Sequence, residues 1–128
     1  MTTPIYDVIT RLRFALVAAL TARTTRGVYW LEAPSGAARP FVVVQSQDLG
    51  GRAERQIGAL DWSGLIVVKA LADTLGAAEA LMTQVAPGMD ALASTGYSVV
   101  ATYDRPIVLP PDAGIWQSAH QWRVSIHR

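Results

Sequence analysis

The residues best suited to acid–base or metal chemistry are two histidines, and their spacing keeps them apart. His120 and His127 lie seven residues apart on one predicted strand. This spacing separates their Cα atoms by about 23 Å and turns their side chains to opposite faces, so they cannot share a metal ion. His120 shares its face with Trp116 and Trp122, which favours a hydrogen-bonded histidine in the core. His127 is expected to be solvated.

Other catalytic patterns are missing from the sequence. Ser63 precedes Gly64 in the middle of a predicted strand, where a nucleophilic serine would be badly placed. Gly50-Gly51 lacks the third glycine and the lysine of a phosphate-binding loop. The chain has no cysteine, which excludes disulfides, thiolate metal sites and cysteine nucleophiles. The carboxylates are scattered along the chain and form no local cluster; examples are Asp48, Asp61, Asp73 and Asp90. We therefore expect no catalytic residues, no cofactor, no metal and no enzymatic activity.

The composition indicates one domain, residues 1–128, with an unusually uncharged surface. Hydrophobic residues make up 51% of the chain and charged residues 16%, against about 25% charged residues in average proteins. A surface so poor in charge favours coverage by a partner. The net charge of +1 gives no sign of specific nucleic-acid binding. The apolar run at 14–20 is shorter than the roughly 20 residues that a membrane span needs, so no membrane partner is expected.

The first element that must position any site is a helix predicted over 3–24. Thr3 is the expected N-cap and Pro4 the first helical residue. Apolar residues recur at steps of three and four along one face: Ile5, Val8, Ile9, Leu12, Leu16 and Leu20. Phe14 and Val17 fall on other faces. The second half of this helix is therefore apolar nearly all round, which favours coverage from more than one side.

Strands are predicted at 28–31, 41–47, 59–72, 97–104 and 115–127, with a stiff loop at 105–114. A second helix is expected to start at Asp73 or Thr74 and to break at Pro87-Gly88. In the long third strand, alternate residues should face the core: Leu60, Trp62, Gly64, Ile66, Val68 and Ala70. The opposite face is half apolar, which suits burial against a neighbouring subunit. The order α-β-β-β-α-β-β predicts an α+β fold, a mostly antiparallel single sheet with both helices on one face.

One segment, 49–58, is not expected to pack in this core. Gly50-Gly51 frees the backbone from the strand direction. The candidate partner-contact or self-contact residues are Leu49, Arg52, Glu54, Arg55 and Gln56. The segment is either a solvated loop or a contact arm. Trimming 52–56 to Asn-Gly is expected to leave folding intact and, if the segment is an arm, to impair docking.

The layout resembles the tail-terminator (tail-completion) proteins of long-tailed bacteriophages and of related gene-transfer particles. The resemblance covers nearly the whole chain and rests on order and pattern. The features that carry it, in chain order, are an N-terminal helix ending in Ala-Leu-Thr-Ala, Gly27-Val28-Tyr29, the run at 38–44, the long hairpin, the strand at 64–70, the Ala-rich helix at 77–80 and the closing strand at 121–124.

The resemblance implies a structural virion protein without catalytic residues, made in the host cytoplasm and assembled into the tail or neck. It implies a homohexameric ring that caps the tail tube. Its partners would be other copies of itself, the tail tube protein and the head–tail connector protein, and DNA would pass through the lumen. Two alternatives remain open: another neck or tail protein, such as a head–tail joining or stopper subunit, and a small cytoplasmic ligand-binding α+β module.

Overall fold

The computed structural model describes residues 4–46 and 61–127, and their elements confirm the α+β class and the predicted order. The elements are α1 (Pro4–Thr21), β1 (Val28–Trp30), β2 (Phe41–Ser46), β3 (Asp61–Ala72), α2 (Leu75–Val85), a 3-10 helix (Ala86–Ala91), β4 (Ser98–Ile107) and β5 (Trp116–His127). Among the described residues, two bounds differ from expectation by more than one residue. Helix α1 ends at Thr21, and β4 continues to Ile107, so the loop predicted from 105 starts later.

The strands form one mixed sheet in the order β1-β2-β3-β5-β4. β1 pairs with β2 in parallel, and the other three pairings are antiparallel. β3 is the central strand: its Val68 stands opposite Val44 of β2 and His120 of β5. The sheet therefore has two free edges, β1 and β4, which lie far apart in space although the chain is short.

The core fills the space between the helices and one sheet face, as the period-two pattern predicts. Trp62 and Trp122 are both buried, and α1 contributes a buried apolar stripe. The Trp62 indole lies against the backbone of Gly64, where a Cβ atom would come within 2.6 Å of its ring. A glycine in mid-strand is therefore explained by the close approach of this indole. The central core residues are Val8, Leu12, Leu16, Leu20, Val42, Val44, Trp62, Ile66, Val68, Val85, Met89, Val124 and Ile126.

The second helical segment starts and breaks where the sequence predicts. The Thr74 hydroxyl accepts a hydrogen bond from the Ala77 amide at 3.1 Å, which caps α2. The chain then tightens into the 3-10 helix at Ala86, immediately before Pro87. Gly88 lies against α1: a Cβ atom there would stand 2.8 Å from the Ala19 carbonyl oxygen. The break thus lets the 3-10 helix approach the backbone of α1.

The other sheet face has no helix of the described chain over it. Val67 is buried at its centre, between the cross-strand neighbours Gln45 and Gln121. Leu65 and Leu71 are half-buried beside it. The predicted mixture of apolar and polar residues is therefore present on this face.

Candidate assembly surfaces

The predicted contact arm lies outside the described residues. This applies to all five candidate residues: Leu49, Arg52, Glu54, Arg55 and Gln56. The strands on either side of the segment are described and pair in register, with Ser46 of β2 opposite Ile66 of β3. Any surface that the structure offers to a partner must therefore be sought elsewhere on the described chain.

Exposed large apolar side chains of the described chain collect at the two edges of the sheet. They are Phe14, Leu31, Leu75, Val100, Tyr103 and Val108. Phe14 and Leu31 belong to the β1 edge, and the other four belong to the β4 edge. Four inter-strand distances of about 4.8 Å lie between the first and the fifth strand, so the two edges are about 19 Å apart. The apolar surface is divided between two distant places.

The first place, here called the β1 surface, joins α1 to the edge strand. Phe14 is 63% exposed, because the buried stripe of α1 faces the sheet and Phe14 does not lie on it. Its ring borders an open groove of about 330 Å³ whose floor includes Val28 and Trp30. The Arg13 guanidinium carbon stands 6.0 Å from the centroid of the Phe14 ring. Phe14, here called the knob, is therefore an apolar side chain beside a positive charge, and the described residues leave most of it uncovered.

The second place includes an open pocket, here called the aromatic pocket, under the β4 edge. Its volume is about 280 Å³, and it is lined by Met82, Thr83, Ala86, Tyr103, His120 and Trp122. Register explains the convergence: Tyr103 stands opposite Trp122, and α2 with the 3-10 helix closes the side. The Tyr103 and Trp122 rings meet edge to face, with centroids 5.4 Å apart.

His120 corrects one expectation and confirms part of it. Its Nδ1 is 2.8 Å from the Tyr103 hydroxyl, so the predicted hydrogen bond exists. Its placement in the core is wrong: the ring is half-buried in the wall of the aromatic pocket. The reason is that α2 runs past this part of β5 without packing onto the ring, so Met82 and Thr83 line the other wall of an open pocket. His127 is exposed, as predicted.

The loop after β4 completes what is here called the β4 surface, which includes the aromatic pocket. Val108 is 91% exposed and is followed by Leu109 and two prolines. A groove of about 370 Å³ runs beside this loop, between Leu75 and Trp116. Prolines fix the backbone angle φ, so Val108 is held out on a stiff segment. The missed signal for this surface is a short apolar run, Ile107-Val108-Leu109, between prolines.

A bulge interrupts the β4 edge on the helix-free face. The register shifts between Tyr103 and Arg105, which leaves Asp104 as the extra residue. Gln121, only 4% exposed, donates from its amide nitrogen to the Asp104 carboxylate at 2.6 Å, and the Arg105 Nε donates to the same oxygen at 3.2 Å. The Gln121 hydrogen bond, followed by the one from Arg105, lowers the pKa of Asp104 below its ordinary value.

Charge differs between the two surfaces. The β1 side of the described chain carries three arginines and one carboxylate: Arg13, Arg23, Arg26 and Glu32. The β4 side carries four carboxylates, Glu79, Asp90, Asp104 and Asp112, and three arginines, Arg105, Arg123 and Arg11, whose guanidinium carbon lies 5.5 Å from the centroid of the Tyr97 ring beside β4. One surface is therefore net positive and the other net negative, so the potentials suit each other.

Two other kinds of site are missing from the part of the chain that the structure describes. No three side chains among its histidines, aspartates and glutamates converge as metal ligands. None of its helices combines the length and apolar character of a membrane span.

Two solved structures share this fold along almost the whole chain. One is a chain of the structure described as the virion of a native gene transfer agent particle. It is 15% identical, covers 96% of this chain and 99% of its own length, and superposes with a TM-score of 0.69. The other carries only a sequence label as its description. It is 17% identical, covers 96% of each chain and has a TM-score of 0.54. No family model and no curated protein matches the sequence. What these likenesses establish is a shared fold.

Proposed function

We propose that this chain is a structural subunit of a phage-like particle, and that within it the chain forms the ring that terminates the tail. In this role it caps the tail tube and joins it to the head connector. The observation that carries the proposal is the whole-length fold likeness to a chain of the gene transfer agent virion. The likeness covers 96% of this chain and 99% of that chain, so the two share one fold along almost their whole length.

The distribution of apolar surface supports an assembling subunit. A ring needs two different surfaces on each subunit, because every copy must contact one neighbour with each. The β1 and β4 surfaces meet this requirement: they lie at opposite sheet edges and carry net charges of opposite sign. Side chains such as Phe14 and Val108 stay exposed in the single chain, and burial of such groups is the usual driving force of association.

The ligand-binding alternative has less support from the geometry. Pockets for small ligands are usually clefts or cavities that enclose most of the ligand. The aromatic pocket of about 280 Å³ and the grooves of about 330 and 370 Å³ are all open to solvent. The proposal therefore assigns this pocket to a protein side chain and assigns no catalytic reaction to the protein.

Negative-stain microscopy and native mass spectrometry of the purified protein test the ring. We expect a sixfold ring with a central hole, or such a ring after addition of the tail tube protein. A compact monomer that stays monomeric with tubes present would contradict the proposal and favour the ligand-binding alternative.

Deletion of the gene in a particle-producing strain tests the position in the particle. Loss of a terminator should leave full heads and separate tails of irregular length. Tails of normal length that fail to join would instead identify a head–tail joining or stopper subunit. Finished, infectious or transducing particles would contradict a structural role altogether.

A further inference from the structure

We propose that neighbouring copies contact each other by inserting Phe14 of one copy into the aromatic pocket of the next. The inference rests on the proposed ring, and it names the surfaces that would build that ring. Its starting point is that Phe14 and the pocket lie at opposite edges of the same sheet. In a ring built this way, each subunit inserts its Phe14 into one neighbour and receives the Phe14 of the other neighbour in its own pocket.

The described residues of its own chain leave the Phe14 side chain largely uncovered. The apolar stripe of α1, including Leu12 and Leu16, is fully buried against the sheet, whereas Phe14 is 63% exposed. The ring is held beside Arg13 at the rim of the groove. Phe14 is thus a large aromatic group fixed on a packed helix, which limits the side-chain entropy lost when it is bound.

The pocket has the chemistry and the size for a phenyl ring. Tyr103 and Trp122 offer ring faces and edges, and Met82 offers a thioether, which makes favourable contacts with aromatic rings. A dry cavity of about 150 Å³ is enough to hold benzene in an engineered protein. At about 280 Å³ the pocket accepts a phenyl ring and leaves its mouth open for the residues beside it.

Charge favours a second copy as the occupant. Arg13 and Glu32 border the groove of the β1 surface, and Arg23 and Arg26 lie in the turn before β1. Glu79 borders the groove beside the loop that carries Val108, and Asp112 lies further along the same loop. Bringing the two surfaces of two copies together places excess arginine beside excess carboxylate, whereas pairing a surface with itself places like charges together. The contact is therefore head to tail, the geometry that closes into a ring.

Cysteine cross-linking tests the contact directly, because the natural chain has no cysteine. Thr83 lines the pocket and is exposed, so it accepts substitution. The double variant Phe14→Cys, Thr83→Cys, treated with a short bismaleimide, should give a ladder of covalent oligomers up to the ring. Either single variant should give none. A dimer from Phe14→Cys alone would show a twofold contact and overturn the proposal.

A mixing experiment tests whether the two surfaces are partners. Phe14→Glu removes the knob and Thr83→Glu blocks the pocket, so neither variant should form rings. Mixed one to one, they should form a heterodimer and stop there, because one intact knob and one intact pocket remain. Absence of the heterodimer, or rings from either variant alone, would overturn the proposal.

Matched controls separate a local effect from added charge. Thr10→Glu on α1 and Gln84→Glu on α2 change exposed residues that do not line the pocket, and both should assemble like the natural protein. Native mass spectrometry of the same samples distinguishes the two proposals. A ring of natural protein that survives Phe14→Glu contradicts the contact and leaves the function standing, whereas no ring under any condition contradicts the function.

Discussion

The interior of this molecule and its two sheet edges use apolar residues in different ways. In the interior they repeat, every second residue in β3 and every three or four in α1, and nearly all are buried. At the edges they follow no such repeat: Phe14 lies on the far side of a helix, Tyr103 next to a bulge and Val108 in a loop. Repetition fixes a face inside one chain, whereas these exposed side chains are candidates for contact with another chain.

The largest expected effect tests the interior. Trp62→Ala should lower the free energy of unfolding by about 3–5 kcal/mol, because it empties the space between the helices and Gly64. Denaturant unfolding measures the loss. Trp62→Phe should cost less, since the indole nitrogen has no hydrogen-bond partner among the residues that the structure describes. A Trp62→Ala protein with an unchanged melting temperature would contradict the interior as described here.

Two glycines in the helical layer test how closely the 3-10 helix packs against α1. Gly88→Ala should destabilise by about 1–3 kcal/mol, because the new Cβ atom would press against the Ala19 carbonyl oxygen. Gly76→Ala meets no atom within 4 Å and lies in exposed α2, so it should stabilise by about 0.4–1 kcal/mol. Thermal unfolding compares the two variants. Equal effects of the same sign would mean that α1 and the 3-10 helix are not closely packed.

The bulge at the β4 edge should make a smaller contribution that depends on pH. The pKa of Asp104 is lowered in the folded protein, so its stabilising contribution is present above the ordinary aspartate value of about 3.9. It is lost as pH falls from there through the folded value. Asp104→Asn should therefore be less stable than the natural protein at pH 7, and the difference should shrink below pH 4. A difference independent of pH would show that charge is not involved.

The smallest effect on folding is expected at the edges themselves. Val108→Ser and Phe14→Ser should each change the free energy of unfolding by no more than about 0.5 kcal/mol, because both side chains are exposed. The same variants should weaken self-association in sedimentation experiments. If either variant unfolds the single chain, that side chain belongs to the interior and the distinction between the two regions fails there.

The sequence predicts the interior well because the spacing of apolar residues can be read within a single segment of the chain. The alternation in β3 and the spacing in α1 give the buried residues, the class and the element order, and Pro87-Gly88 gives the helix break. Parallel pairing of β1 with β2 carries no such local signal, since three residues are too few to show a pattern.

The edges could not be predicted for a related reason. Which strand is last in a sheet depends on pairing between distant segments, and β4 became an edge only because β5 lies between it and β3. His120 was expected in the core because its strand neighbours are tryptophans. Its exposure depends on how closely α2 packs against β5, which the sequence does not show. The predicted arm at 49–58 stays a prediction.

The bulge in β4 also bears on how the chain avoids its wrong assemblies. A free edge of ten residues would accept any extended segment as an additional strand, which is the first step of fibrous aggregation. The extra residue Asp104, the charge of Arg105 and the missing amide hydrogen of Pro106 interrupt that ladder two thirds of the way along. The edge can thus contact a neighbour through its side chains while resisting continuous backbone pairing, which protects it against strand-by-strand aggregation.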